Sequence, residues 1–397
     1  MKREERLINP FKPGNGIEPP YLAGRDEELR WFEKSLDTAL VLPRNLVISG
    51  LRGTGKTVLL KEFGRLCKKK KWLFVQREFD ERYCNEQEFT SALLIDIVSK
   101  ARGMPIKGKK LTKQKIGFIV TEEIPENEDL LSHLLSQYSG LLIDRLESIL
   151  RDLYSTFAES GFRGLVFMYD EFHTIRDKKI PGNFPLSTLL ETFGHLQSKG
   201  CRYYLVLSGL PSLFSNLIEA KTYSERMFSV KELSSLSKEA TINGIIKPLN
   251  LVSRTFDSDL IDKLVEETSG YPYFIQFYGY YLVDMIEKSH ITIRDFQKVC
   301  PLLLRELDNS FFAGRFARAS DSERNILIAM SRISGVSTTA KIHQEIKNTK
   351  LKMTYDSLRM SLKRLEEKNL IYKKGRGIYD FTLPLFGKFI LRWTERN

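Results

Sequence analysis

The chain has 397 residues, 42% of them hydrophobic and 28% charged, which suits a folded protein with more than one hydrophobic core. No apolar run approaches the 18 residues of a membrane span, and the charged start Met1–Leu7 does not read as a secretory leader, so a cytoplasmic protein without membrane contact is expected. The net charge is +12, and residues 315–397 hold 18 Lys and Arg against 8 Asp and Glu, a local excess that suits a phosphate backbone or an acidic protein surface.

The stretch Asn9–Gly16, with Pro19 and Pro20 after it, is too rich in Pro and Gly for a helix and reads as an extended arm. Asp26 then caps a predicted helix with apolar Leu29, Trp31, Phe32 and Leu36. Asn45–Ser49 is a short apolar run fit for a buried parallel strand. Further strands are predicted at Trp72–Gln76, Leu165–Tyr169 and Tyr203–Leu207, with helical stretches between them, an alternation that implies an α/β parallel sheet. The long insertion between the second and third strands carries a basic patch, Ile106–Lys113. Lys68–Lys71 reads as the solvated end of a helix. Cys67, Cys84, Cys201 and Cys300 lie far apart, spell neither a disulfide framework nor a zinc ribbon, and read as small buried hydrophobes.

The strongest motif is Gly50-Leu51-Arg52-Gly53-Thr54-Gly55-Lys56-Thr57, between a predicted strand and a predicted helix. Glycines let such a turn wrap a phosphate with backbone N–H groups. Lys56 reaches the terminal phosphates, and Thr57 is a magnesium ligand. ATP and Mg2+ are the expected ligands. The strand Leu165–Tyr169 ends in Asp170 and Glu171. Asp170 is positioned to hold magnesium and Glu171 to polarise an attacking water, the alternative being a helix cap. His173 reads as structural. If the strand Tyr203–Leu207 lies between the phosphate-loop strand and the acidic-pair strand, Ser208 can sense the γ-phosphate. Arg226, just before a short final strand, is either an arginine finger for a neighbouring subunit or a surface arginine paired with an acid.

In this order the motifs resemble the initiator and signal-transduction (STAND-like) branches of the AAA+ ATPases, including archaeal origin-recognition-type ATPases, over roughly Asn9 to Glu306. Pro19–Leu29 is similar to the family's nucleotide-base-contacting box. The resemblance implies nucleotide contacts from Leu22, Arg25, the loop residues through Val58, and Pro272 of an all-helical lid starting near Ser237. It further implies nucleotide-dependent homo-oligomers. One departure is Tyr273, where many members carry a nucleotide-sensing arginine, and it points to slow hydrolysis.

The basic segment reads as a winged helix-turn-helix. Helices are predicted at Ser322–Ile333, Thr339–Lys347 and Thr354–Lys368. The third buries Leu358, Leu362 and Leu365 on one face and leaves Arg359, Lys363 and Arg364 on its flanks. Two β-prone runs around Lys373-Lys374-Gly375-Arg376-Gly377 form the wing. Double-stranded DNA is the expected partner, and a docked protein the alternative. The expected division is 1–235, a P-loop AAA+ parallel-sheet domain with its arm; 236–310, the helical lid; and 311–397, the winged helix.

Overall fold

A computed structural model describes residues 9–14, 16–39, 45–101, 142–178, 180–348 and 353–396. The charged start and the basic patch at 106–113 lie outside the described residues.

Five parallel strands form the central sheet: β1 (Asn45–Gly50), β2 (Leu73–Glu78), β3 (Leu165–Asp170), β4 (Tyr203–Gly209) and β5 (Phe228–Leu233), in the order β2-β3-β4-β1-β5. The three inner strands are buried along their whole length, as their unbroken apolar runs require of a parallel sheet covered by helices on both faces. The edge strands β2 and β5 instead carry exposed polar residues. Two apolar layers sandwich the sheet. One is centred on Phe167, Phe193 and Tyr203, the other on Phe32, Phe63 and Trp72. The order leaves β4 between β1 and β3, so the phosphate-loop motif and the acidic pair emerge two strands apart at the carboxyl edge, where open α/β sheets hold ligands.

Asp26 does not cap its helix. The helix Asp26–Thr38 has Arg25 at the cap position with no side-chain cap bond, since a guanidinium has no acceptor to offer the helix N–H groups; it donates instead to the carbonyls of Thr54 and Ser234, 2.9 Å from each.

Helices Lys238–Asn250, Ser258–Thr268, Pro272–Met285 and Ile293–Leu307 follow the sheet, joined by a two-strand pair, Thr255–Phe256 with His290–Ile291. The N-terminal arm is stitched to this bundle. Asn9 Nδ2 donates to Tyr280 O at 2.8 Å, and Phe11 lies so close to Gly279 that an added Cβ would sit 2.5 Å from its ring, so only glycine fits. A π-helical turn, Asp308–Ala313, then leads into helices Asp321–Arg332, Thr339–Lys347 and Tyr355–Glu367. A three-stranded sheet with strands Ser337–Thr338, Ile378–Phe381 and Ile371–Gly375 in that order comes next, with a final helix, Phe386–Arg396. A Ser320–Glu323 capping box starts the first of these helices, one residue earlier than the sequence suggests. Leu358, Leu362 and Leu365 are fully buried, as their spacing predicts. One continuous apolar cluster joins Phe11, the helical bundle and this C-terminal unit. Cys67, Cys84 and Cys201 are buried and Cys300 is half-buried. Among the described residues no helix is long and apolar enough to cross a membrane.

Candidate functional site

The turn after β1 uses the freedom of its glycines. Gly53 and Gly55 have φ of +82° and +91°, values that bring successive backbone N–H groups to one side ahead of the helix Lys56–Lys69. Gly50 is confined differently: a Cβ there would lie 2.7 Å from Leu233 O, so it lets β1 and β5 close below the loop. Arg25 braces the turn from behind through Thr54 O, and its burial pulls its pKa down.

Lys56 is buried and donates from Nζ to Gly50 O at 2.9 Å and Leu51 O at 3.0 Å. Burial lowers its pKa, while Glu171 and Asp170 act in the opposite sense. Thr57 Oγ1 donates to Asp170 Oδ2 over 2.5 Å, and Asp170 Oδ1 accepts the Glu171 backbone N–H at 2.9 Å. A hydroxyl and a carboxylate held this way are hard oxygen donors of the kind Mg2+ takes beside phosphate oxygens and water. Glu171 sits in the left-handed region at φ +50°, and no side-chain bond caps the short helix that follows it. Its carboxylate faces Arg52 at 3.5 Å and His173 at 3.8 Å. Glu78, across the sheet from Asp170, is pushed up by burial and by Glu171 and Asp170.

Arg52, Lys56, Thr57 and Glu171 face a cavity of about 440 Å³. Its lining combines apolar side chains, among them Pro13, Ile17, Tyr21, Leu22 and Ile275, with the loop from Arg52 to Val58 and Glu171. Lys12, Arg25, Arg52, Lys56 and Arg315 line it against the single carboxylate of Glu171, so the lining suits a ligand that carries both an apolar ring and several negative charges. Tyr273 closes the loop from above: its N–H donates to Gly53 O at 3.2 Å, and its Cβ lies 3.1 Å from where a Gly53 Cβ would stand.

Residues 21–206 match the AAA ATPase domain family. The family matched over this portion is one of nucleotide-binding ATPase domains. Residues 309–390 match a domain of unknown function (DUF8462). In fold the chain is similar to a Walker-type ATPase of Pyrococcus abyssi, at 18% identity over 93% of this chain and 96% of that one with a TM-score of 0.59. It is also similar to the Aeropyrum pernix ORC2 protein in its ADPNP-ADP complexes, at 15% identity over 97% and 98% with a TM-score of 0.56. No curated protein matches the chain.

Of the residues singled out from the sequence, Leu22, Arg25, Arg52 through Val58, Glu171 and Pro272 line the cavity. Gly50 and Asp170 lie directly behind the lining. Ser208 is not among the lining residues: β4 does run between β1 and β3, yet the Ser208 side chain is fully buried, and its hydroxyl has no hydrogen-bond partner among the described residues. His173 is equally enclosed, and burial, with Arg52 and Lys56 nearby, lowers its pKa to about 3. Arg226 is exposed on the short helix before β5, away from the cavity, with no ion pair among the described residues. Lys12 and Arg315 are cavity residues that the sequence does not announce. Neither belongs to a spaced motif, and both arrive through chain packing.

Proposed function

We propose that the chain is an ATP-dependent switch that binds and hydrolyses ATP with Mg2+ and engages double-stranded DNA through a C-terminal winged helix. The observation that carries the nucleotide half is the Thr57–Asp170 contact at the mouth of the glycine turn, with Lys56 and Glu171 beside it. Mg2+ held by Thr57 and Asp170 would neutralise charge on the β- and γ-phosphates. Lys56 binds the terminal phosphates, the loop N–H groups orient them, and Glu171 accepts a proton from the attacking water. Pro272, Leu22 and the other apolar side chains of the lining hold the base. Tyr273 makes this a slow ATPase. Arg226, exposed and unpaired, completes the site of a neighbouring subunit, so that nucleotide governs self-assembly.

For DNA, the supporting observation is that Arg359, Lys363, Arg364, Lys373, Lys374 and Arg376 are all exposed and none forms an ion pair among the described residues. Three flank the helix Tyr355–Glu367 and three lie on the hairpin, the arrangement of a groove-reading helix with a phosphate-binding wing. A second reading, a signalling or defence regulator that docks a protein here, is favoured by Met360, 60% exposed on the same helix. The molecular mass with ATP, ADP or no nucleotide, each with and without duplex DNA, separates the two. Lys56→Ala is the control. A mass that responds to nucleotide and to DNA in the parent, and to DNA alone in the variant, supports the switch. A mass indifferent to both ligands contradicts it.

A further inference from the structure

The lid helix Pro272–Met285 begins on the phosphate loop but brings no cation to it. Pro272 and Tyr273 are its first residues, and Tyr273 covers Gly53 with an apolar ring. A second aromatic layer stands on that ring. Phe311, in the π-helical turn Asp308–Ala313, stacks on Tyr273 with ring centroids 4.6 Å apart and planes at 27°. The Arg315 guanidinium in turn lies 4.8 Å from the Phe311 ring centroid and donates to Phe311 O at 2.5 Å. Gly53, Tyr273, Phe311 and Arg315 therefore form a ladder from the glycine turn to the root of the C-terminal unit.

The top of this ladder opens into the cavity, where Ser310, Phe311 and Arg315 share the wall with Arg52, Lys56 and Glu171. Arg315 is half-buried, has no carboxylate within ion-pair distance among the described residues, and spends one donor on a carbonyl while the rest of its fork is unpaired. The burial of Arg315 and the nearby Arg52 both lower its pKa, which marks the spot as short of negative charge. Arg52, whose charge is felt at Arg315, is held at 3.5 Å from Glu171, and Tyr273, on which Phe311 stacks, covers Gly53 of the glycine turn, so Arg315 is tied to the part of the lining formed by that turn. A half-buried guanidinium with free donors, facing a cationic cavity, suits a phosphate oxygen.

We propose that Arg315 binds the terminal phosphate of the nucleotide, supplying from outside the lid the cation that the lid helix lacks at Tyr273. The proposal rests on the reading of this cavity as an ATP site. It also ties nucleotide state to the C-terminal unit, because the next residue, Phe316, is buried against Phe386, Phe389 and Trp393, and Asp308 at the head of the turn pairs with Arg392 of the final helix. ATP draws Arg315 to the γ-phosphate and fixes the turn. ADP leaves that bond unmade.

Calorimetric titration of the full chain with magnesium and either a non-hydrolysable ATP analogue or ADP tests this, using the parent, Arg315→Ala, Arg315→Gln, Arg315→Lys and Lys56→Ala. Removing one charge-assisted hydrogen bond to phosphate should weaken the ATP analogue roughly tenfold in Arg315→Ala and Arg315→Gln. ADP affinity should stay within about twofold, since no γ-phosphate is present. Arg315→Lys should recover part of the difference. Arg315→Gln keeps a donor for Phe311 O, so a purely structural role would leave it like the parent. Hydrogen exchange at 308–319 should slow with the ATP analogue more than with ADP in the parent, and equally with both in Arg315→Gln. Equal weakening of both nucleotides, or unchanged affinities in the alanine and glutamine variants, overturns the proposal while leaving the ATP site standing. Failure of the parent to bind either nucleotide, or a Lys56→Ala variant that binds as the parent does, overturns the ATP site and this proposal with it.

Discussion

The Thr57 hydroxyl donates to Asp170 Oδ2 over 2.5 Å, joining two residues 113 positions apart in the chain and two strands apart in the sheet. That bond orients both side chains. On the proposed reading it sets beside a glycine turn, which by itself attracts any anion, the two oxygen donors that a divalent cation would use.

Magnesium dependence should therefore hinge on this pair. In the parent, ATP binding should be at least about tenfold tighter with magnesium than with EDTA. Asp170→Asn should lose most of that increment while keeping the magnesium-free affinity. Calorimetry with each nucleotide form checks it, and an undiminished magnesium effect in Asp170→Asn would assign the cation to other ligands.

Glu171→Gln should separate binding from chemistry. Lys56, Thr57 and Asp170 are untouched, so ATP should bind within about twofold of the parent, while phosphate release should slow by roughly 10²- to 10⁴-fold if the carboxylate activates water. Steady-state phosphate release checks the rate, and filter retention of ATP checks trapping. Hydrolysis at the parent rate would leave Glu171 as the turn residue its positive φ already makes it.

His173 gives the fold an acid weakness. Its pKa falls from about 6.5 in the unfolded chain to about 3 in the folded one, chiefly because the ring is buried. The unfolded state thus takes up the proton first, so the stability contributed by the neutral ring is complete above about pH 6.5 and is lost as pH falls toward 3. Each unit in that window costs up to about 1.4 kcal/mol from this group. His173→Leu should flatten the profile of unfolding free energy between pH 6.5 and 4 relative to the parent. Parallel urea profiles for the two proteins would show that other groups set the slope.

Arg226 is tested by mixing. Arg226→Ala should bind ATP as the parent does and lose hydrolysis. Added Lys56→Ala subunits, which carry Arg226 but bind ATP poorly, should restore part of it. Mixed oligomers that stay inactive would confine Arg226 to its own chain.

The inner strands were legible because β1, β3 and β4 are unbroken apolar runs, and the phosphate loop because its glycines and Lys56 keep a fixed spacing. Ends were less so. Trp72 packs into the core ahead of β2 instead of pairing within it, and Arg25 sits at the helix start because its guanidinium has backbone partners elsewhere. The two-residue strands Thr255–Phe256 and His290–Ile291 are too short to show alternation. Ser208 illustrates the limit of topology: its strand runs between β1 and β3 as expected, yet the side chain is enclosed within the fold. Arg315 had no signal, since it reaches the cavity through a π-turn and a stack of rings that only the packed chain brings together.

The central claim is that this chain holds duplex DNA through its C-terminal cations, and fluorescence anisotropy with labelled duplex across a salt series, with ATP or ADP present, tests it most directly. The parent should show affinity that falls steeply with salt. Replacing Lys373, Lys374 and Arg376 together by alanine should weaken binding to all sequences alike and reduce the log-affinity against log-salt slope by roughly three units, about 0.9 for each phosphate no longer neutralised. A parent protein with no salt-dependent affinity for duplex DNA in either nucleotide state would contradict the claim and leave the protein-docking regulator as the better account.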